Sequence, residues 1–332
     1  FHEALEKCRY TSLDDEEEYS IDVIQPEKIE FKQNSYEDGE NSIISFPEFL
    51  LLVLDVCTGG EQPASHYQPD KLIEKFDALK TYFTAGEFYE KMLYYRLLLD
   101  YYTIRRDIKD GQGNYSLILK GPKDDSDKLK QYQSMLYVST EAFYNWLKPY
   151  LRKLEQDELH SCAEMLAFLK KEDNERHSIL PARKDLSYKA SGNIRYWFWR
   201  LDYYLWEQRS TFFNEEEQKI VEHYVFRRNR SIEHLHPQDE SHNEEWEEEA
   251  VHSFGNLAMI SQSFNSQQSN DHIQIKFARI HEQISNKSLQ SIKMFLMCKL
   301  ADFNYQNWTM KLAKEHENEM IEFLERSFYI SD

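Results

Sequence analysis

The sequence predicts a mainly α fold, in which a helical N-terminal region is followed by an α+β region. Apolar residues recur at helical spacing over long stretches, as in 88–104 and 194–205. Glycine and proline number only 9 and 8 among 332 residues, which argues against a turn-rich all-β chain. Strand-like segments are short and few, and the clearest are 115–119 and the apolar segment after Phe254.

The composition is that of a folded globular protein, with 41% hydrophobic and 14% aromatic residues. A formal net charge of −19 argues against a surface coated with positive charge for non-specific nucleic-acid binding, although a local basic face remains compatible with it. The four cysteines are far apart in the chain, so neither a zinc ribbon nor a disulfide framework is expected. The longest apolar stretch, Phe46–Val56, is too short to span a bilayer, and no signal peptide pattern is present. These features predict a cytoplasmic protein without a membrane partner.

The N-terminal region is expected to be a helical connector. Residues 1–45 are acidic and read as a solvated lead-in, after which Phe46–Cys57 is expected to be a helix with Ser45 as its N-cap and Pro47 in its first turn. Later helical periodicities lie at 72–79, 88–104, 132–155 and 158–171. A turn at 110–114 precedes a predicted strand at Tyr115–Leu119.

A looser stretch at 171–191, which contains Pro181, is the expected domain boundary. We therefore predict a helical connector domain over 1–185 and a second domain over 186–332. The second domain opens with a strong helix whose apolar face includes Ile194, Trp197 and Leu201.

The segment with the most chemical information is 227–239, where Glu233 precedes His234 and Pro237-Gln238 ends the run. A Glu-His pair alone is a weak signal, but it is followed in order by Gly255-Asn256-Leu257 at the start of an apolar strand. Asn265 and then Lys276 come next. Such an ordered set is much harder to obtain by accident than any one of its members.

This ordered set resembles the HNH, or ββα-metal, nuclease motif. More narrowly, it resembles the C-terminal nuclease domain of the GmrSD-type, modification-dependent (type IV) restriction endonucleases. The pattern of that family is Ile-Glu-His-x-x-Pro-Gln, then Gly-Asn-Leu, then an Asn ahead of a Lys. The close match covers 232–276, and a looser likeness extends over roughly 190–332. The resemblance implies a small ββα-metal core embedded in helices.

The resemblance also implies roles for the matching residues. Glu233 is expected to ligate a metal, and Asn265 to be the second ligand. His234 is expected to be the general base, because a neutral imidazole can take a proton from water near pH 7. Asn256 is expected to brace the loop that carries His234. A carboxylate and an amide carbonyl are hard oxygen ligands, which suit one Mg²⁺ or Mn²⁺ ion better than zinc.

Glu233 and His234 are neighbours on a strand, and adjacent strand residues point to opposite sides, so a bent strand is needed for both to serve one site. The expected surroundings of the site are less specific. His236, Gln238 and Asn270 are placed around it as supporting residues, whereas His242 and His252 flank an acidic run and are expected to face solvent.

Positive charge brackets the proposed site and predicts contacts with DNA phosphates. The residues expected to contact DNA are Arg227, Arg228, Arg230, Lys276 and Arg279. Lys287, Lys293 and Lys299 extend the second cluster. The alternative is that both clusters are merely solvated faces. Much of the acidity lies in the helical half and in the run 239–249, so the global charge does not exclude a DNA-cutting site, and this chain alone is expected to bind DNA weakly.

GmrSD-type proteins carry a nucleotide-hydrolysing module with the signature Asp-Gly-Gln-Gln-Arg, which this sequence lacks. The superficially similar Asp110–Asn114 reads as a turn, and no P-loop is present. We therefore expect no nucleotide and no NTPase activity in this chain, and a missing N-terminal NTPase-like module as a partner. The function that the resemblance implies is metal-dependent hydrolysis of DNA, with modified foreign DNA as the substrate, in phage defence.

Two alternatives remain open at this point. The first is a non-catalytic helical scaffold or interaction module whose HNH fold is degenerate. The second is a nuclease that acts on RNA, because the motif recognises a phosphodiester rather than a sugar.

Overall fold

The structure is a computed structural model, and it describes residues 39–108, 115–122, 126–139, 142–228, 230–238, 246–261 and 273–329. The described residues form two compact units. The first unit contains the described residues up to Ser126 together with Phe143–His160, and the second contains those from 127 to 142 together with those from Ser161 onward. The predicted division into 1–185 and 186–332 stays a prediction.

Helices dominate the described residues, and each unit has one small antiparallel sheet, which confirms the mainly α fold with an α+β part. In chain order the helices are α1 (Phe46–Cys57), α2 (Leu72–Leu79), α3 (Ala85–Tyr102), α4 (Ser126–Val138), α5 (Phe143–Glu155), α6 (Cys162–Arg176), α7 (Ile194–Glu207), α8 (Arg209–Phe212), α9 (Glu215–Glu222), α10 (Glu248–Val251), α11 (Ile273–Ser285), α12 (Ile292–Leu300) and α13 (Met310–Arg326). The strands are β1 (Gly39–Ser42), β2 (Ile104–Ile108), β3 (Tyr115–Leu119), β4 (Arg230–His234) and β5 (Leu257–Ser261). In the part of the chain that the structure describes, no helix is long and apolar enough to cross a membrane.

The first unit combines the sheet β1-β2-β3 with helices α1, α2, α3 and α5. Helix α1 begins where the sequence predicts, because Ser45 and Glu48 each accept a hydrogen bond from the other's backbone N–H and so form a capping box. The helix packs against α2 and α3. Its buried Asp55 accepts hydrogen bonds from Tyr67 and from Lys148, whose Nζ lies 3.0 Å away, so that its charge is compensated.

The predicted elements at Phe46–Cys57 and Tyr115–Leu119 are confirmed at both ends. The predicted helix at 88–104 ends at Tyr102, because Ile104 begins strand β2. The predicted continuous helix at 132–155 was wrong: the chain forms α4 and α5 with a break between them. The turn at 110–114 and the acidic lead-in before residue 39 lie outside the described residues.

The second unit is built around α7, in which every residue from 196 to 206 is buried. A helix buried on all sides belongs to a core, and α7 packs against α12, α13 and β5. Its Arg200 has no solvent exposure, and Nη1 lies 3.1 Å from a carboxylate oxygen of Asp173. Asp173 also accepts hydrogen bonds from the hydroxyls of Tyr132 and Tyr196, at 2.7 and 2.8 Å. This network satisfies a charge that would otherwise be costly to bury.

Strands β4 and β5 form the second, two-stranded sheet, and α12 packs on β5. The buried Lys293 of α12 donates hydrogen bonds to the carbonyls of Phe254 and Leu257, at 2.8 and 2.6 Å. Burial lowers the pKa of Lys293 to about 7. Lys293 therefore anchors the turn that leads into β5 and does not belong to a solvent-facing cationic cluster, which corrects the sequence-based expectation for this residue.

Candidate active site

The motif residues meet at the end of β4. The strand pairs with β5 in antiparallel register, with Glu233 opposite Ala258 and His234 opposite Leu257. Helix α11 reaches the same place through Lys276. A ββα arrangement therefore surrounds Glu233 and His234, both of which are buried.

Glu233 is neutralised by Lys276 in this structure. The ammonium of Lys276 lies 2.5 Å from a carboxylate oxygen of Glu233 and 2.5 Å from the backbone carbonyl of His234. The exposed fractions of the two side chains are 4% for Lys276 and 10% for Glu233. A buried carboxylate requires a positive charge beside it, and here the ammonium supplies that charge. Lys276, which the sequence analysis assigns to DNA contact, lies at Glu233 instead of extending into solvent.

The imidazole of His234 lies among polar and aromatic groups. Its Nε2 lies 3.0 Å from Nδ1 of His252, and the amide nitrogen of Gln238 lies 3.0 Å from its Nδ1 and 3.1 Å from its Nε2. The ring of Tyr188 packs edge-on against it, with centroids 4.5 Å apart. Burial, together with the nearby His252 and Lys276, lowers the pKa of His234 to about 3. His234 is therefore neutral near pH 7 and able to accept a proton.

Asn256 ties together the backbone around the site. Its Oδ1 accepts hydrogen bonds from the N–H of His236 at 2.8 Å and from the indole of Trp308 at 3.2 Å. Its Nδ2 donates to the carbonyls of His236 and Val251, both at 2.9 Å. Asn256 has no solvent exposure, so these hydrogen bonds satisfy its amide in place of water. Asn256 thus holds the loop directly after His234.

Gly255 explains why the turn before β5 needs a residue without a side chain. A Cβ at this position would lie 2.2 Å from the backbone carbonyl oxygen of Ala313 and 2.8 Å from Cβ of Glu317. The turn Phe254–Asn256 therefore packs directly on α13, and this close approach sets the position of Asn256.

His236 and Gln238 occupy different environments. His236 is buried, and its ring stacks on Trp246 with centroids 4.0 Å apart and planes 4° apart. Gln238 is exposed and contacts the ring of His234. Their supporting roles stay predictions, as do those of Asn265 and Asn270, which lie outside the described residues.

The remaining predicted DNA contacts are not equivalent. Arg227 and Arg228 are exposed, but Arg228 donates to the carbonyl of Tyr137 at 3.1 Å and its guanidinium lies 4.1 Å from the centroid of that ring. Arg279 is half-buried. Arg230 pairs through its backbone with Ser261, and its side chain is not described. Their contact with DNA stays a prediction.

The sequence analysis missed His252 and Tyr188 as neighbours of His234. His252, which the sequence analysis expects in solvent, is half-buried and lies beside the imidazole. The sequence did contain one indication: His252 lies three residues before Gly255, close to the start of β5, and β5 pairs with β4 beside His234. Tyr188 carried no signal, because it comes from the loose stretch before α7.

The oxygen donor of Glu233 is chemically suited to a divalent ion, although the described residues do not supply a complete set of ligands. Glu233 offers a hard carboxylate oxygen that already holds a cation. Among the described residues, no group of three or more His, Cys, Asp and Glu side chains is arranged to hold a metal. That Asn265 supplies a second ligand stays a prediction, because it lies outside the described residues.

Comparisons with known proteins bear on the second unit. Residues 170–323 match the family model described as "GmrSD restriction endonucleases, C-terminal domain". Comparison with curated proteins and with solved structures gave no match. The matched region begins within α6, runs into α13 and includes the whole ββα arrangement. Over residues 170–323 this chain is therefore similar to the C-terminal domain of the GmrSD restriction endonucleases.

Proposed function

We propose that this chain is a metal-dependent endonuclease of the HNH type that hydrolyses phosphodiester bonds of DNA. The observation that carries the proposal is the meeting of Glu233, His234 and Asn256 at the end of β4, inside the region that matches the restriction endonuclease family. This reaction requires a carboxylate that can hold a metal ion and a base such as a neutral imidazole. Asn256 braces the loop that follows His234.

His234 acts as the general base. Its neutral imidazole takes a proton from a water molecule, and the resulting hydroxide attacks the phosphorus while the bond to the leaving oxygen breaks. The lowered pKa of His234 keeps the ring unprotonated throughout the neutral range. Asn256 holds the position of the ring indirectly, through the backbone of His236.

Glu233, together with Asn265, would hold one Mg²⁺ or Mn²⁺ ion. When bound, the ion neutralises charge that develops on the phosphate. The ion pair of Glu233 with Lys276 supports this proposal, because a cation already compensates the charge of this buried carboxylate. Replacing one positive charge at Glu233 by another avoids leaving this carboxylate uncompensated.

DNA binding is assigned to Arg227, Arg228 and Arg279, together with Arg230. The chain as a whole is strongly acidic, so affinity for DNA rests on a local basic face and falls steeply with salt. We therefore expect weak binding by this chain alone, and tight binding above about 0.2 M salt would contradict this part of the proposal.

We infer further that the chain works in restriction of modified foreign DNA, in the cytoplasm, together with a nucleotide-hydrolysing module outside this sequence. The family match supports the restriction role. The modified target and the partner module come from the resemblance of the sequence to type IV enzymes. Both the modified target and the partner module are tested by adding such a module to the chain and comparing the cleavage of modified DNA with that of unmodified DNA.

A non-catalytic scaffold with a degenerate HNH fold is the second candidate. The observation in its favour is that Lys276 already neutralises Glu233. Electron paramagnetic resonance of added Mn²⁺ separates the two candidates, since a nuclease site binds the ion and loses it in Glu233→Gln. A scaffold binds no ion and leaves the same strong spectrum of free Mn²⁺ with the wild type and with the variant.

Plasmid cleavage with Mg²⁺ or Mn²⁺ tests the catalytic role of His234. We expect His234→Ala to cleave about 10²- to 10⁴-fold more slowly than the wild type. The exposed His281 on α11 provides the matched control, because His281→Ala also removes an imidazole but one that has no part in the proposed reaction. Equal cleavage by wild type and His234→Ala, at equal thermal stability, contradicts the proposal, as does an absence of cleavage of any modified or unmodified DNA. Competition between RNA and DNA for binding separates the RNA-directed alternative.

A further inference from the structure

We propose that His252 is a positioning residue for His234: it accepts the hydrogen bond of the His234 Nε2–H and thereby keeps Nδ1 of His234 unprotonated, so that this nitrogen can take a proton from water. This inference rests on the proposed function. It adds a residue that the nuclease motif does not demand.

The contact between the two rings is a hydrogen bond and not a stack. Nε2 of His234 lies 3.0 Å from Nδ1 of His252, and the ring planes are inclined by 72°. Two neutral imidazoles at this distance require one nitrogen to carry the proton and the other to accept it. The pair therefore couples the tautomer of one ring to that of the other.

The direction of this hydrogen bond follows from the task of His234. Because Nε2 faces His252, only Nδ1 is left to receive a proton from water. A neutral ring with a free Nδ1 carries its own proton on Nε2. His252 must then accept through Nδ1, and it carries its proton on its own Nε2. The amide nitrogen of the exposed Gln238 lies 3.0 Å from Nδ1 of His234, and an amide can donate only to an unprotonated ring nitrogen, which agrees with a proton on Nε2.

The fold holds the two histidines in this relation from both sides. Asn256 donates to the carbonyl of His236, two residues after His234, and also to that of Val251, one residue before His252. One buried amide therefore links the two segments that carry the rings. Tyr188 closes the other side: its ring packs against both imidazoles, and its N–H donates to the carbonyl of His252 at 3.0 Å.

The test uses the full chain and three variants. His252→Phe keeps a ring but removes the acceptor, whereas His252→Asn restores a polar atom near the position of Nδ1. His281→Ala is the control. At saturating DNA we expect His252→Phe to cleave about 10- to 100-fold more slowly, with an unchanged Michaelis constant, and His252→Asn to recover part of the rate.

Ring nitrogen chemical shifts in protein labelled with ¹⁵N-histidine give a readout that a purely structural role would not move. We expect His234 in the wild type to carry its proton on Nε2, and this preference to weaken in His252→Phe. A wild-type His234 protonated on Nδ1 overturns the inference, even if a variant fails to fold. If cleavage requires His234 but is unaffected in His252→Phe, this inference is wrong while the proposed function stands. If the wild type cleaves no DNA, the proposed function itself is wrong.

Discussion

Asn256→Asp changes a single atom of the site and yet should destabilise the second unit strongly. The carboxylate still accepts from the His236 N–H and from Trp308, but it replaces the Nδ2 donor by an oxygen. That oxygen then faces the carbonyls of His236 and Val251, each 2.9 Å away and each left without its donor.

The magnitude follows from these two contacts. Leaving a buried acceptor without its donor costs about 1 to 3 kcal/mol, so two such acceptors predict a loss of about 2 to 6 kcal/mol. The free energy of unfolding of a typical domain is about 5 to 15 kcal/mol, so a loss of this size is a large fraction of it. Asn256 has no solvent exposure, so water cannot replace the lost donor without a rearrangement of the turn.

Urea unfolding followed by tryptophan fluorescence measures this loss. The assay reports mainly on the second unit, because Trp146 is the only one of the six tryptophans in the first unit. Asn193→Asp, at an exposed position before α7, is the matched control and should change the free energy of unfolding by less than about 0.5 kcal/mol. A loss below about 1 kcal/mol for Asn256→Asp refutes the reasoning, because the two carbonyls then do not depend on this donor.

Three further predictions concern the core, the pH dependence and the basic face. Asp173→Asn leaves the buried Arg200 without its counter-charge, and we expect the free energy of unfolding to fall by about 3 to 5 kcal/mol in the same assay, whereas an unchanged midpoint argues against this pairing. His316 is fully buried and its pKa lies well below 6.5, so the unfolded chain binds one more proton than the folded chain below about pH 6.5, and stability falls on acidification. His316→Phe should therefore reduce the pH dependence of the free energy of unfolding by about 1.4 kcal/mol per pH unit, as measured by urea titrations at several pH values. An identical pH dependence in the wild type and the variant contradicts the assignment. Arg227→Gln should lower the salt dependence of DNA binding by about one phosphate contact, and more than Arg228→Gln, whose guanidinium is engaged within the protein; equal slopes in a fluorescence anisotropy titration contradict this difference.

Elements set by local chemistry were predictable from the sequence. Helix α1 starts at a capping box formed by Ser45 and Glu48, and both residues are recognisable in the sequence. Strand β3 was predictable as a short, largely apolar segment that follows the turn-forming residues at 110–114 of the sequence. The break between α4 and α5 was not predictable from periodicity, because apolar spacing continues across it while the chain passes from the second unit into the first.

The site was predictable as a set of residues but not as a set of contacts. The order of Glu233, His234 and Asn256 along the chain indicated one site, and the structure brings these three to the end of β4. The pairing of Glu233 with Lys276 joins residues that are 43 positions apart, and it depends on how α11 meets the sheet. His252 was missed for the same reason, since its position beside His234 results from the turn that Asn256 stabilises.

The central claim is that Glu233 and His234 act in one hydrolytic site, and a double-mutant comparison of single-turnover DNA cleavage tests it most directly. Residues that act as a unit lose their effects together and not multiplicatively. We predict that Glu233→Gln and His234→Ala each slow cleavage of a labelled duplex by about 10²-fold or more, and that the double variant is no more than a few-fold slower than the slower single variant. Cleavage at the wild-type rate by either single variant, or a double variant whose loss equals the product of the two single losses, would contradict the account.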